Sequence, residues 1–517
     1  MTRSDRPHPA PRKSGLTTSG STQSGSTQSG STKSGGFNSG LAAPGQRAAG
    51  ARRGAAGLMV AGVLAALAAP ASAQTLQEAL AQTYANNPTL ASARAQLRVA
   101  DENVPQALAG WRPSVSITGS VGYADANART RAQAGNQRIG VSSDQDRAIA
   151  SVAATVTQPL YRGGRTEANT RRAENQVLAQ RARLLATEQQ VLADTVTAYV
   201  NVIRFQEEVR LNLNNAQVLQ RQLDATNERF RVGEITRTDV AQAESRLAGA
   251  RAARADSEGQ LQNSRATFLR TIGVAPTRLT APQPLTPAAR NNQDAAQVAA
   301  LNNPAVVAAL FDEAAGRDFI DVQLSTLLPQ ASLQAQAFRN DNQTALGTRA
   351  IGESLTATLT VPIYQGGAEY SAVRQARQDA TRLRQVVDDQ RRAASAQAST
   401  AWETLGSARA TVDSVRAQIR AAEIALDGVQ REAVVGSRTT LDVLNAEQEL
   451  LNARVSLVRA LANVVTASHS LAQAVGRLTA KDLALPVALY DQEAYYRAVR
   501  DRWAGLGDYS VPQAVRQ

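Results

Sequence analysis

Cysteine is absent from this chain of 517 residues, and histidine occurs only twice. The first absence excludes disulfides, thiolate nucleophiles and Cys-based metal sites, and also a lipid anchor on a cysteine behind a cleaved leader. Beyond residue 73 the one histidine is His469. It sits in a polar helical stretch, where a hydrogen-bonded surface histidine is expected rather than a catalytic one. Aromatic residues make up 4% of the chain although 43% of it is hydrophobic. That argues against one large globular core and suits closely packed helices, because Ala is the best helix former. Gly-rich phosphate loops, nucleophile elbows and clusters of metal-ligating residues are missing as well. No enzyme activity, cofactor or metal is therefore expected.

A surplus of one charge is present, but it is misplaced for nucleic acid. The net charge is +12, from 56 Lys and Arg against 44 Asp and Glu. Arg3, Arg6, Arg12, Lys13, Lys33, Arg47, Arg52 and Arg53 fall in the first 73 residues, opposed there by Asp5 alone. Beyond them 48 basic residues face 43 acidic ones. This is an ordinary surface balance without a basic stripe interleaved with aromatics, so nucleic acid is not an expected partner.

Long hydrophobic runs are scarce too. Residues 58–69 (LMVAGVLAALAA) follow Arg52-Arg53 and precede Ala71-Ser72-Ala73. The run falls short of the roughly 20 apolar residues of a membrane helix, which is the alternative reading. With the A-x-A step it reads as a secretory signal peptide cleaved between Ala73 and Gln74. The Ser/Gly/Thr repeats of 14–36 cannot bury apolar area and are expected to be disordered. Residues 1–73 are thus an extension and signal, removed on export. No later segment is expected to be long and apolar enough to cross a membrane as a helix.

What remains is a tandem repeat. Asn86-Asn87-Pro88 recurs as Asn302-Asn303-Pro304, and Arg112-Pro113 is echoed by Leu328-Pro329. Pro159-Leu160-Tyr161-Arg162-Gly163-Gly164 recurs as Pro362-Ile363-Tyr364-Gln365-Gly366-Gly367. Val232-Gly233 with Thr236 and Asp239 recurs as Val435-Gly436 with Thr439 and Asp442. The spacing between copies shortens by 13 residues between the two Pro landmarks, which predicts a longer loop there in the first copy. The expected divisions are 74–274 for the first copy, a Pro-rich linker at 275–287, 288–480 for the second copy, and a C-terminal segment at 481–517.

Each copy reads as helix, strand pair, long helix, turn, helix. The strand pairs fall near 114–161 and 330–363. Ala331, Leu333, Ala335 and Ala337 alternate with Gln330, Ser332, Gln334 and Gln336; Val115, Ile117, Val121 and Tyr123 alternate with Ser114, Ser116, Thr118 and Ser120. Such alternation over about ten residues fits a membrane β-strand, but taken alone it favours the half-buried strand of a soluble sheet. If the strands do span a membrane, four cannot close a barrel, and an open edge cannot face lipid. Several chains must then share one barrel, and three would supply twelve strands.

The helices carry coiled-coil spacing. Val412, Val415, Ile419, Ala422, Leu426 and Val429 form one seam; Leu441, Leu444, Leu451, Val455, Val458, Ala462 and Val465 form another. Residues 177–199 show two adjacent seams, as a helix with neighbours on both sides requires. In the two helix–helix turns, Gly233 and Gly436 sit where a helix end favours a left-handed residue. Thr236 and Thr439 can cap the next helix, with Asp239 and Asp442 in capping-box positions. By chemistry alone, all of these residues serve the turns.

The paired Val-Gly-x-x-Thr-x-x-Asp-Val turns, the paired Pro-[Leu/Ile]-Tyr-x-Gly-Gly strand exits and the Asn-Pro starts, in order and duplicated over 74–500, resemble the TolC family of outer-membrane efflux channels. Tyr490-Asp491-Gln492-Glu493-Ala494-Tyr495-Tyr496 resembles the family's type I secretion branch. The resemblance implies a mainly helical homotrimer in the Gram-negative outer membrane. Its long antiparallel helices form a periplasmic α-barrel tunnel, and four strands per chain form one twelve-stranded transmembrane β-barrel among the membrane's lipids. It further implies a passive conduit for small molecules or protein, served by a periplasmic adaptor and an inner-membrane pump of RND or ABC type. The turns at Val232, Gly233, Thr236 and Asp239, and at Val435, Gly436 and Thr439, would dock the adaptor. Arg438 would join an ionic latch, and Asp442 a ring of carboxylates whose mutual repulsion raises their pKa. The sequence departs from the family pattern at Ala433, where a Tyr is common, and at Asn445, where a second entrance Asp is common. An adaptor or scaffold built on a coiled-coil hairpin is the alternative, although such proteins carry one hairpin and compact β domains.

Overall fold

The two Asn-Pro steps each start a helix and clamp the end of another. The computed structural model describes residues 74–507; the expected signal segment up to Ala73, and residues 508–517, lie outside the described residues. Helix α1 (Leu76–Asn86) ends at Asn87, whose side chain caps α2 (Pro88–Asp101) by accepting from the N–H groups of Thr89 and Leu90. Pro88 occupies the first helical position, where its missing donor costs nothing. In the second copy Asn303 does the same between α6 (Asn292–Asn302) and α7 (Pro304–Leu324). The amide nitrogens of these asparagines donate to Thr271 O (2.9 Å) and Ala474 O (3.1 Å). Each motif therefore ties the start of its copy to the end of that copy's last helix.

A short helix α3 (Asn103–Leu108) follows, and then strands β1 (Ser114–Ala134) and β2 (Gln137–Arg162). The long helix α4 (Arg165–Arg231) and its return α5 (Arg237–Ile272) complete the first copy. The second copy continues from α7 with β3 (Gln330–Asp341), β4 (Arg349–Thr360), the long helix α8 (Ala368–Val434) and its return α9 (Thr440–Ala474). Helix α10 (Ala494–Val499) lies in the C-terminal segment. The strands form one antiparallel sheet in the order β1-β2-β3-β4. Between the copies, Gln74 bridges to Leu279, and the Tyr199 hydroxyl bonds both Gln74 O and Thr280 O at 2.8 Å.

The extra residues of the first copy do not form the longer loop expected of them. They lengthen the strands, to 21 and 26 residues against 12 and 12, and leave a turn of only Gly135-Asn136. An antiparallel pair can absorb inserted residues as further rungs of the ladder, so insertions of any length in matched pairs extend a hairpin without disturbing its register.

Neither α4 nor α5 holds a proline, and α4 has no glycine either. At 67 residues α4 runs about 100 Å at 1.5 Å per residue. It packs between α5 and α9, and α9 packs between α4 and α8; nearer the sheet, α7 fills the space between α4 and α8. The core is a series of narrow seams rather than one mass. Leu192, Val196, Val200, Val465 and Leu478 meet in one; Ala398, Leu405, Val464 and Leu471 in another. Leu219, Leu223, Leu247 and Leu444 join the two hairpins farther down.

Two expectations are overturned. His469 is not at the surface: it is 2% exposed, with Nδ1 2.8 Å from Val465 O. Burial pushes its pKa down, and the Val465 carbonyl only partly restores it. It is a satisfied core histidine on a helix whose neighbours cover both sides. Helix α9 also contradicts the expected lack of a long apolar helix. It contains an 18-residue window of mean hydropathy 1.2, sufficient in length and composition for a membrane span. In the fold α9 packs on α8 and α4, with 28% of that window buried, and it also carries Arg459, paired with the buried Glu208 of α4 at 2.9 Å.

Candidate functional site

The hairpin tips are built alike and charged in opposite order. At the first tip, Val232 and Gly233 end α4, with Gly233 at φ 79° and its N–H donating to Phe230 O (3.0 Å). Thr236 and Asp239 then form a capping box: the Thr236 N–H and hydroxyl donate to Asp239 Oδ2 at 3.0 and 2.7 Å. At the second tip Gly436 has φ 80°, and Thr439 donates to Asp442 Oδ2 at 3.0 and 2.8 Å. A side chain at either glycine would be strained by the positive φ. Within this shared frame Arg229, on the descending helix, pairs with Glu234 in the turn. In the second tip the acid is on the helix and the base in the turn, with Arg438 Nε donating to Glu432 Oε2 at 2.8 Å.

The capping bonds determine how the two aspartates titrate within the chain. Hydrogen bonds from the backbone and side chain of Thr439 hold Asp442 below the usual carboxylate range, and those of Thr236 do so for Asp239. Within one chain this is opposite to the upward shift expected of a carboxylate ring. Asn445 does not join Arg438 and Asp442; its Oδ1 accepts from Arg246 of α5 at 2.7 Å, linking the second tip to the first hairpin. Val232 and Val435 are exposed to the same extent, 78% each, so each tip presents an apolar group beside its ion pair. Sequence reasoning missed Glu432, Arg229, Glu234 and Arg246. For the first three the only signal was a charge within about one helical turn of a tip glycine; Arg246, 13 residues beyond Gly233, carried none.

At the other end of the helices, the Gly-Gly steps turn strand into helix. Gly163 and Gly164 have φ 61° and 77°, and Gly366 and Gly367 have 77° and 86°. At Gly163 space is limiting as well, since a Cβ would lie 2.7 Å from Leu328 Cβ and 2.8 Å from Ser325 O. Pro159 stands at an irregularity in the β2–β3 pairing, before Tyr161, while Pro362 falls just beyond the end of β4. Proline lacks the N–H a ladder needs, and both positions avoid that demand.

The register separates the sheet into two faces. One carries Val115, Ile117, Val121 and Tyr123 of β1, opposite Val156, Ala154, Ala150 and Ala148 of β2. It continues through Ala331, Leu333, Ala335 and Ala337 of β3 to Leu359, Ala357 and Leu355 of β4. The other face carries Ser114, Ser116, Thr118 and Ser120, then Thr157, Thr155 and Ser151, then Gln334 and Gln336, then Thr360, Thr358, Thr356 and Ser354. The apolar face is bare: Ile117 is 76% exposed and Leu355 71%. Its charged residues lie toward the two hairpin turns: Asp125 stands opposite Asp146 on β1 and β2, and on β3 and β4 Asp341 pairs with Arg339 (2.9 Å) and Arg349 (2.6 Å), with Glu353 between Ile351 and Leu355. Among the described residues no group of three or more His, Asp or Glu side chains gathers in a metal-binding arrangement.

Comparison with known proteins gives a consistent result. The model of a family described as outer membrane efflux protein matches residues 77–274 and 295–477. The outer membrane efflux protein BepC of Brucella suis is 37% identical over 443 residues, covering 84% of this chain and 92% of that protein. The outer membrane protein TolC of Escherichia coli is 24% identical, covering 80% of this chain and 84% of that protein. Among solved structures, the outer membrane protein VceC of Vibrio cholerae superposes with a TM-score of 0.64 at 18% identity, over 78% of this chain and 96% of that one. This last likeness concerns the fold.

Proposed function

We propose, for a chain that belongs to the outer membrane efflux protein family, that three copies close their sheets into one twelve-stranded barrel in the outer membrane and stand their helices together as a tunnel beneath it. Membership sets aside the adaptor alternative and makes the chain an outer-membrane exit channel for efflux or secretion. The trimer and the shared barrel are our reading, and the observation that carries it is the sheet. Its four strands leave β1 and β4 as open edges, and among the described residues its apolar face has no protein partner. Unpaired backbone groups are not tolerated in lipid, and a membrane barrel needs about eight strands or more. Joining β1 of one copy to β4 of the next removes every edge. The apolar face then meets lipid, and the Ser, Thr and Gln face lines a wet passage. The apolar stretch of β1, Val115 to Tyr123, matches the roughly 9–11 residues of a tilted membrane strand.

The hairpin tips are the entrance in this reading. The Arg438–Glu432 pair is solvent-exposed, with about half of each side chain open, and exposed ion pairs are screened and readily exchanged. Arg438 can therefore leave Glu432 for an acid on a neighbouring tip when the entrance closes. Three Asp442 carboxylates around one axis would draw cations; their capping hydrogen bonds keep them ionised against mutual repulsion. Val232 and Val435 beside the tips offer apolar contacts to a periplasmic adaptor, which would couple the passage to an inner-membrane pump of RND or ABC type.

Single-channel recording of the purified protein in a planar bilayer tests this. A small, steady conductance that rises in Arg438→Ser is expected, with cation preference weakened in Asp442→Asn. Folded protein without conductance would overturn the channel reading. Equal conductance in wild type and Arg438→Ser would remove Arg438 from the latch, and unchanged selectivity would remove Asp442 from the entrance.

A further inference from the structure

Aromatic residues are scarce in this chain, yet exposed ones gather where strands meet helices. Trp111 stands just before β1, Tyr161 near the end of β2 and Tyr364 after β4, and all three are exposed. Trp503, 70% exposed, reaches the same region from the far end of the sequence.

The route it takes is traced by contacts. After α9 the chain leans on the first copy, where the Tyr490 N–H donates to the Tyr84 hydroxyl (3.1 Å) and Arg94 lies over both rings, 4.6 Å and 5.2 Å from their centroids. Farther on, Tyr495 donates to Glu102 at 2.8 Å, Glu493 pairs with Arg181 at 3.2 Å and Arg500 with Glu174 at 2.9 Å. Finally Arg112 donates to Arg502 O, with its guanidinium 5.1 Å from the Trp503 ring. Partners 84, 102 and 112 follow the order 490, 495 and 502, so the C-terminal segment runs as a strap alongside α2 and α3 toward the sheet. It is pinned at Arg112, two residues before β1.

Beyond that pin the strap shows a large apolar ring and then Leu506, fully exposed, to the surroundings. A soluble surface gains nothing from holding a tryptophan out in water on an ordered strap. At a membrane–water interface the same ring is favoured, because its apolar body and its N–H suit the headgroup level. Cationic groups stand with it: Arg112, its guanidinium 5.1 Å from the ring, and Arg502, the preceding residue of the strap. These suit phospholipid phosphates.

We infer that the C-terminal strap ends in the periplasmic leaflet of the outer membrane, with Trp503 as its lipid anchor. The inference rests on the reading that the strands span that membrane. Membrane contact would hold the strap against α2 and α3 beyond its contact with Arg112.

Tryptophan fluorescence tests it. The chain has three tryptophans, so Trp111→Phe with Trp402→Phe leaves Trp503 alone. A second variant lacking all three carries Ile117→Trp as a probe of the lipid-facing strand. Both full-length proteins are placed in phospholipid vesicles brominated near the top of the acyl chains. The expected result is a blue shift for Trp503 relative to free tryptophan, with loss of its emission to bromine. Quenching of the strand probe while Trp503 stays accessible to iodide would overturn the anchor and leave the spanning sheet intact. A Trp503 shielded from both bromine and iodide would also overturn it, placing the ring on protein, such as a neighbouring copy. A strand probe that bromine does not reach would overturn the spanning reading itself and the anchor with it.

Discussion

Helices α4 and α8 are both 67 residues long and hold the same place in their copies, yet α4 buries 21 side chains and α8 buries nine. Propensity does not separate them, since both are rich in Ala, Arg and Gln. Position does. Helix α4 is flanked by α5 and α9 and is also covered by α1, α2, α3 and α7 along the half nearer the sheet, whereas α8 meets α9 on one side and α6 and α7 along the corresponding half. The outer side of α8, with Ile424 75% exposed, is an unfinished seam. Repeats that began alike thus differ in what one chain can complete, and in the proposed trimer α8 is where the next copy would stand.

The largest effect should come from the closed seam. Leu192→Ala on α4, at a fully buried position, is expected to destabilise the protein by about 2–5 kcal/mol, read from denaturant or thermal unfolding. A mild result would break the contrast between the two helices.

Next comes Asp101 of α2, which is fully buried with neither carboxylate oxygen hydrogen-bonded. Burial pushes its pKa up to about 6, opposed by Arg181 and helped by Glu102. The native state therefore holds this proton more tightly than the unfolded chain. Its contribution favours folding in acid and is lost as pH rises from about 4 through about 6, then levels off. Asp101→Asn is expected to raise stability at pH 7 by about 1–3 kcal/mol and to flatten that slope. A slope unchanged in the variant would assign it to another group.

The tips give a smaller, symmetric test. Thr236→Ala and Thr439→Ala should each cost about 1 kcal/mol of local helix stability, seen as faster amide exchange in the first turns of α5 and α9. Unequal losses would mean that the frames are less alike than their hydrogen bonds. Smallest for the single chain is Ile424→Ser, expected to change its own stability by less than about 0.5 kcal/mol. It should nevertheless lower the temperature at which the oligomer dissociates on a gel. Loss of helicity instead would show that the exposed side of α8 supports the chain itself.

Much of this was legible in the residues. Period-two alternation marked the strands, the Gly-Gly and Val-Gly steps marked the reversals, and Asn-Pro marked the repeat starts. Each depends on local backbone chemistry. The misses share a different cause. His469 looked superficial because its sequence neighbours are polar, while its spatial neighbours are not. The insertion looked like a loop because its residues alternate less cleanly, and which of them pair across the turn is invisible to spacing. Glu432 and Arg246 were passed over because a charge becomes a partner only when another element brings its counterpart within reach.

The sequence alone determined the period of every element, the places where the chain must turn, the caps that fix the tips, and the split between apolar and polar strand faces. These follow from interactions within about four residues. Tertiary structure decided which seams close and which stay open, that Asn445 turns to Arg246 rather than to Arg438, and that the C-terminal strap ends beside the first strand. Those outcomes depend on contacts between residues tens to hundreds of positions apart. Burial and electrostatics act through space, and only the fold sets those distances.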